Sequence, residues 1–208
     1  MKIKVCGMKF PENITAVAGL LPDFMGFICY DKSPRYIDTV SSAINTLDPK
    51  IIKTGVFVNA ELPVIEDLIH NFDFTAVQLH GAESPEFCNK LKGKVIVFKA
   101  FGIDQGFNFE QLAAFVGSVD YFLFDTKTNA HGGSGQAFDW QVLSNYRLNV
   151  PFFLSGGLSL ENLENIKHIK HPAFYGVDLN SRFETEPGLK NTNKLREAFK
   201  ILRDSHEI

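Results

Sequence analysis

The sequence predicts an α/β fold in which one domain, residues 1–208, forms a single (β/α)8 barrel, also called a TIM barrel. Short runs rich in β-branched and aromatic residues alternate with longer amphipathic segments along the whole chain. Most of the runs are apolar throughout, which is typical of parallel strands that helices cover on both faces. Eight strand–helix repeats in 208 residues lie near the lower length limit of a closed barrel.

The strands are predicted from their high β propensity and the helices from apolar spacing and start signals. The strands cover residues 3–6, 24–30, 52–58, 75–80, 95–101, 120–126, 151–157 and 174–179. The helices cover residues 11–20, 38–47, 60–72, a segment that begins at Ser84-Pro85, and residues 108–116, 140–146, 159–169 and 189–202. A doubly wound open sheet is the other common solution. It usually has fewer strands and a G-x-G-x-x-G turn after the first one, whereas this chain reads Cys6-Gly7-Met8-Lys9 there.

Composition excludes several classes of protein. The net charge of -3 offers no basic surface for nucleic acid or an anionic membrane, and 20 Phe residues argue against disorder. No apolar run reaches the length of a membrane span, and the N-terminus lacks the apolar region of a signal peptide. Three cysteines without C-x-x-C spacing fit a reducing compartment and predict a cytoplasmic protein without disulfides.

In a barrel of this kind the active site lies at the carboxyl ends of the strands. Those positions hold Cys6, residues 30–35, Asn59, Gln78, His80, Lys99, Asp125, Ser155-Gly156-Gly157 and Asp178. Cys6 is either a small buried hydrophobe or a reactive thiol, and its place at the mouth favours the thiol. Asp125 is either a turn residue or an acid whose pKa is raised by the apolar run before it.

The remaining positions have less specific signals. Gly156 and Gly157 allow backbone N–H groups to approach an anion, which favours phosphate binding over a plain tight turn. Arg35 can pair with Asp31 or bind a substrate carboxylate. Gln78 and His80 are either packing partners or substrate contacts. The glycine-rich loop 131–135 is either a lid or a connector. No spacing of His, Cys or acidic residues indicates a metal site.

Together these motifs resemble the phosphoribosylanthranilate isomerase family over nearly the whole chain. The matching stretches are KVCGMK (4–9), MGFICYDKSPRYI (25–37), GVFVN (55–59), AVQLHG (76–81), FDTKTNAHGGSGQAFDW (124–140), LSGGL (154–158) and GVDLNSRFETEPGLK (176–190). The resemblance implies a cofactor-independent Amadori rearrangement of N-(5'-phosphoribosyl)anthranilate, a step of tryptophan biosynthesis. The product would be 1-(2-carboxyphenylamino)-1-deoxyribulose 5-phosphate.

The resemblance also assigns roles to residues. Asp125 would be the general acid and Cys6 the general base. Arg35 and Asp178 would hold the anthranilate end, with Gln78 and His80 as further substrate contacts. Phosphate would bind at Gly156, Gly157, Asn180 and Ser181. The implied partner is a small phosphosugar, and the protein would be a monomer or a homodimer. One departure is Arg182, which stands where the family's pattern leads us to expect glycine.

Two alternatives remain open at this point. Another phosphosugar isomerase of the same fold is one, but the bifunctional type uses an aspartate after strand 1, where this chain has Cys6. The second alternative is a phosphate-binding barrel without catalytic activity, which we would expect to lack the acid or the base. Both residues are present here.

Overall fold

Eight parallel strands form a closed barrel in chain order, which confirms the predicted fold. The protein is described by a computed structural model that covers residues 1–127 and 138–204. The strands are β1 (Lys2–Val5), β2 (Phe24–Ile28), β3 (Ile52–Phe57), β4 (Ala76–Leu79), β5 (Ile96–Ile103), β6 (Tyr121–Thr126), β7 (Phe152–Leu154) and β8 (Phe174–Leu179). β8 pairs with β1, with Lys4 beside Asp178, and this pairing closes the ring.

The strand ends agree with the predicted runs to within a few residues, except in β7. That strand was expected to reach residue 157, but it ends at Leu154. Gly156 and Gly157 have φ angles of 81° and 65°, which are incompatible with an extended strand. The chain therefore leaves the sheet at Ser155 and forms a turn at the mouth of the barrel.

The α-helices are α1 (Pro11–Ala18), α2 (Ser42–Asn45), α3 (Leu62–Phe72), α4 (Pro85–Leu91) and α5 (Thr192–Asp204). α4 begins as predicted, since the Ser84 hydroxyl accepts a hydrogen bond from the Phe87 N–H at 3.2 Å. The prediction for residues 38–47 was wrong in extent, because only the single turn α2 forms there. Three other predicted helices are 3₁₀ helices, at Phe109–Phe115, Trp140–Asn145 and Leu163–His168. They run for six or seven residues, which is longer than most 3₁₀ helices.

The last predicted helix begins later than expected. Residues Leu189–Lys190 form strand β10, which pairs in antiparallel fashion with β9 (Glu184–Glu186). The side chain of Asn13 makes two hydrogen bonds to the backbone of Lys190. Its Nδ2 donates to the Lys190 carbonyl and its Oδ1 accepts from the Lys190 N–H, each at 2.8 Å. This pairing holds residue 190 extended, so α5 starts only at Thr192.

The barrel interior is apolar at its base and polar at its mouth. At the base, the rings of Phe24, Phe98 and Phe153 pack edge to face, with ring centroids 5.2 to 5.4 Å apart. Side chains alternate across a strand, so residue 155 faces the same side as Phe153, and Asp125 the same side as the buried Leu123. The larger apolar cluster lies between the strands and the surrounding helices. The alternation thus brings the polar strand-end residues together above an aromatic base.

Loop 131–135, interpreted from the sequence as either a lid or a connector, lies outside the described residues, since residues 128–137 and 205–208 are not described. Among the helices that are described, none has the length and apolar character needed to cross a membrane.

Candidate active site

A pocket at the carboxyl end of the barrel holds all ten of the predicted site residues. It is lined by Cys6, Arg35, Gln78, His80, Asp125, Gly156, Gly157, Asp178, Asn180 and Ser181, together with Ile28, Tyr30, Ser33, Val56, Val58, Ser155 and Leu158. Of the other strand-end positions, Asn59 and Lys99 do not line it. The site is therefore built from strand ends that lie far apart in sequence.

Cys6 follows β1 and lies almost fully buried at the floor of the pocket, with 3% of its surface exposed. Gly26 of β2 makes room for it, because a Cβ atom at that position would lie 2.7 Å from the Cys6 Sγ. Burial raises the pKa of the Cys6 thiol, and the ammonium groups of Lys4 and Lys190 oppose that increase. The net direction is opposite to the decrease in pKa that would favour a thiolate base at neutral pH.

Lys4 and Asp178 form an ion pair beside Cys6. Lys4 Nζ donates to Asp178 Oδ2 at 2.9 Å, and both side chains are buried. The second carboxylate oxygen, Oδ1, is buried and has no hydrogen-bond partner among residues 1–127 and 138–204. A buried acceptor without a partner is costly. Because Asp178 lines the pocket, Oδ1 is suited to accept a hydrogen bond from a ligand.

Asp125, on β6, occupies the wall of the pocket that the sequence predicted. Its Oδ1 accepts a hydrogen bond from the Thr126 N–H at 2.8 Å. Burial raises the pKa of this carboxyl to about 6, against the lowering effect of that hydrogen bond. The direction agrees with the expectation from the apolar run before it. A carboxyl with this pKa is partly protonated near neutral pH and can donate a proton.

His80 lies next to Asp125, with its Nε2 at 3.6 Å from the Asp125 Oδ2. Its other ring nitrogen, Nδ1, is 2.9 Å from the Gln78 Nε2. When the Gln78 amide donates to Nδ1, a neutral imidazole carries its proton on Nε2, facing the carboxylate. Gln78 and His80 are thus linked to each other and to Asp125, in addition to lining the pocket.

A buried charged pair supports the loop that follows β4. The carboxylate of Glu83 accepts hydrogen bonds from the backbone N–H groups of Asn59 and Gly81, each within 2.9 Å. Lys99 Nζ donates to the Gly81 carbonyl at 2.8 Å and lies 3.3 Å from the Glu83 carboxylate. Asn59 and Lys99 therefore brace the segment beside His80.

The turn after β7 and the turn after β8 meet on one side of the pocket. Asn162 fixes the first turn, since its Nδ2 donates to the Gly157 carbonyl at 2.8 Å and its Oδ1 accepts from the Ser159 N–H at 2.9 Å. At Gly156 a Cβ atom would lie 2.4 Å from the Thr126 backbone nitrogen, so only glycine fits. Ser181 opens a single 3₁₀ turn, Ser181–Phe183. Both turns line the pocket, and the glycines of the first can contribute only backbone atoms, as is typical of anion sites.

Arg35 pairs with Glu184 instead of the sequence-adjacent Asp31. Its Nε lies 3.0 Å from Oε1 and its Nη2 lies 2.7 Å from Oε2, which makes the pair bidentate. Both side chains are largely buried. Arg35 also lines the pocket. Arg182, in contrast, is exposed and is not among the residues that line the pocket.

Sequence reasoning missed Lys4, Glu184 and Lys190. Lys4 is two residues before Cys6, and strand alternation could have placed it on the same side of β1. Glu184 and Lys190 carry no such signal, because they follow β8 in a segment whose path depends on tertiary contacts. No group of three His, Cys, Asp or Glu side chains within residues 1–127 and 138–204 has the geometry to hold a metal ion.

Comparisons with known proteins agree with this site. The sequence profile described as N-(5'phosphoribosyl)anthranilate (PRA) isomerase matches residues 3–201. An N-(5'-phosphoribosyl)anthranilate isomerase of Parabacteroides distasonis is 46% identical over 202 residues, covering 94% of this chain and 90% of the relative.

Two solved structures share the fold along their full length. A phosphoribosyl anthranilate isomerase of Thermus thermophilus has a TM-score of 0.84 and 27% identity, covering 98% of this chain and 99% of the other. A second isomerase of this kind was solved in complex with reduced 1-(o-carboxyphenylamino)-1-deoxyribulose 5-phosphate. It has a TM-score of 0.79 and 29% identity, with coverage of 98% and 99%.

Proposed function

The chain belongs to the N-(5'-phosphoribosyl)anthranilate isomerase family of tryptophan biosynthesis, and we propose that it performs the rearrangement with Asp125 as general acid and Cys6 as general base. One observation carries the proposal: a buried thiol and a carboxyl with a pKa of about 6 line the same pocket. They follow β1 and lie on β6, which are separated by β7 and β8 in the ring. The two groups thus reach a bound ligand from different sides.

The ends of the pocket are suited to the two ends of the substrate. We assign the sugar phosphate to the backbone of Gly156 and Gly157 and of the Asn180-Ser181 turn. We assign the anthranilate carboxylate to Arg35, whose bidentate bond to Glu184 fixes the plane of the guanidinium group. Asp178 Oδ1 is the acceptor for the substrate's N–H. The ribose then lies between Cys6 and Asp125.

The chemistry requires one proton donor and one proton acceptor. Asp125 gives its proton to the ring oxygen as the bond between C1 and that oxygen breaks, and the nitrogen lone pair forms a Schiff base. The Cys6 thiolate then takes the proton from C2, which yields an enolamine. Tautomerisation gives the ketone, and the product has the same atoms as the substrate. His80 holds the Asp125 carboxylate in place before and after the transfer.

The ligand of a related isomerase supports the proposed substrate class. That isomerase binds the reduced form of the expected product. A related isomerase of Thermotoga maritima is dimeric. For this chain we therefore propose that the oligomeric state is either a monomer or a homodimer.

A turnover assay tests the function directly. Purified protein is mixed with freshly prepared phosphoribosylanthranilate, and loss of the substrate's fluorescence is followed over time. We expect saturable turnover with no added metal or cofactor. Folded protein that leaves the fluorescence unchanged would overturn the proposal.

A further inference from the structure

Lys190 ends the PGLK segment and is almost completely buried, with 3% of its surface exposed. Its backbone is held on both sides by the side chain of Asn13. Lys190 Nζ donates to the Asn180 Oδ1 at 2.7 Å and to the Glu184 Oε1 at 2.5 Å. One ammonium group therefore connects the turn assigned to phosphate with the carboxylate that holds Arg35.

The same ammonium lies beside the residue that follows Cys6. A Cβ atom at Gly7 would lie 3.4 Å from the Lys190 Nζ and 2.8 Å from the Asn180 Oδ1. Gly7 also has a φ of 77°, so this position both requires glycine and allows the close approach. Lys190 thus places a positive charge beside the residue that follows Cys6, and this charge opposes the increase in the pKa of the thiol.

The charges around Cys6 balance when Cys6 is a thiolate and Asp125 holds its proton, as the proposed role of Asp125 as acid requires. The cations are Lys4, Lys190 and Arg35, and the anions are Asp178 and Glu184. Among these described residues, one positive charge is in excess while Cys6 is a thiol. A thiolate at Cys6 removes the excess. Uncompensated charge is costly to bury, so the surroundings favour the thiolate over what burial alone would allow.

Two further observations bear on this balance. Burial lowers the pKa of Lys190 to about 8, and the negative charges of Glu184 and Cys6 oppose that decrease, so a thiolate at Cys6 favours the Lys190 ammonium in return. Asp125 interacts with Asp178 and Lys4 and adds a negative charge to the same pocket once it is ionised. The excess positive charge at Cys6 therefore applies while Asp125 holds its proton.

We propose that Lys190 is a positioning residue of the isomerase, whose ammonium balances the charge of the Cys6 thiolate and joins Asn180 to the Glu184–Arg35 pair. The inference rests on the proposed role of Cys6 as base. Lys190 does not itself exchange a proton with the substrate; it acts through Cys6 and through the two ends of the pocket.

The test measures how fast iodoacetamide alkylates Cys6 at different pH values, with the Cys6 peptide followed by mass spectrometry. No substrate is present, so the readout does not depend on turnover. In Lys190→Gln we expect the alkylation profile to shift upward by about one pH unit, with about tenfold slower reaction at pH 7.5. In Lys190→Arg, which keeps the charge, we expect a rate within about twofold of the wild type. Lys194→Gln, an exposed lysine in α5, is the matched control and leaves the profile unchanged.

Steady-state kinetics supply the second readout. Lys190→Gln lowers kcat through the base and raises KM through Asn180 and Arg35, whereas Lys190→Arg recovers most of kcat. An unchanged Cys6 alkylation profile in folded Lys190→Gln overturns the inference, even where kcat falls. If Lys190→Gln does not fold, the test uses Lys190→Arg alone. A shift in the pH profile of Cys6 alkylation in that charge-conserving variant also overturns the inference. Failure of the proposed function looks different: wild-type protein without isomerase turnover.

Discussion

Lys4 and Asp178 join the first and the last strand of the barrel through an ion pair of 2.9 Å. The pair spans 174 residues of sequence and lies at the floor of the pocket, out of contact with solvent. It uses one oxygen of Asp178 and leaves the other for a ligand. The contact that closes the fold is therefore also part of the site, and Lys4 adds a positive charge near Cys6.

We expect replacement of the proposed acid to cause a severe loss of catalysis. Asp125→Asn keeps the shape of the side chain but removes its transferable proton, so kcat should fall by about two to four orders of magnitude. Circular dichroism should show an unchanged fold. The matched control is Asp104→Asn, a carboxyl that pairs with Lys127 at the surface. Near-normal turnover in Asp125→Asn would rule out the assignment.

The raised pKa of Asp125 makes stability depend on pH. The folded protein holds this proton up to about pH 6, whereas the unfolded chain releases it near 3.8. Between those values the folded state binds more protons, so stability falls as pH rises, by about 3 kcal/mol in total. Asp125→Asn lacks this cost. The free energy of unfolding of Asp125→Asn minus that of the wild type should therefore be larger, by about 1 kcal/mol, at pH 7.5 than at pH 5.

Urea unfolding of both proteins at the two pH values measures the difference. A relative stability that does not change between pH 5 and pH 7.5 would contradict the pKa shift of Asp125. The activity of the wild type provides a second check, because kcat/KM should decline as the acid loses its proton above about pH 6.

Replacement of each cysteine in turn tests the proposed role of Cys6 as base. Cys6→Ser replaces the thiol by a far less acidic hydroxyl and should lose most of kcat. Cys29→Ser and Cys88→Ala should keep their activity, since neither residue lines the pocket. Alkylation should inactivate the enzyme, and bound product should protect it. If inactivation followed modification of Cys29 or Cys88 instead, the role of Cys6 would be wrong.

Glu184 should control substrate affinity through Arg35. Glu184→Gln removes the negative charge from the bidentate pair, so the guanidinium loses its fixed orientation. We expect KM to rise about tenfold, with a smaller change in kcat, because charge-assisted hydrogen bonds contribute about 1.5–3 kcal/mol. Asp31→Asn changes the carboxyl near Arg35 in sequence and should leave KM unaltered. An equal effect of the two variants would show that Glu184 does not orient Arg35.

Arg182 should contribute little to the phosphate site. Its side chain is exposed and does not line the pocket. An exposed charge contributes well under about 1 kcal/mol to binding, so Arg182→Gly should change KM by only a few-fold and leave kcat nearly intact. Measurement of KM at low and at high salt isolates the electrostatic contribution of Arg182 to substrate binding. A KM increase well beyond tenfold that disappears at high salt would indicate that this arginine anchors the phosphate.

The sequence by itself determined the barrel and the residues at its mouth. Apolar runs marked the eight strands, and strands of a parallel barrel all end at the same face. For this reason Cys6, Asp125 and Gly156 could be assigned to one site without knowledge of any contact. Local signals were also sufficient for the start of α4, where Ser84 caps the helix.

Only the tertiary structure decided which side chains pair with one another. Arg35 has Asp31 close in sequence, yet it binds Glu184, 149 residues away. Lys190 was expected within a helix, but Asn13, 177 residues away, holds it in a strand. Strand periodicity reports which face a residue occupies and contains no information about the partner across the pocket. Those partners depend on how the segments after β2 and β8 pack together once the barrel has closed.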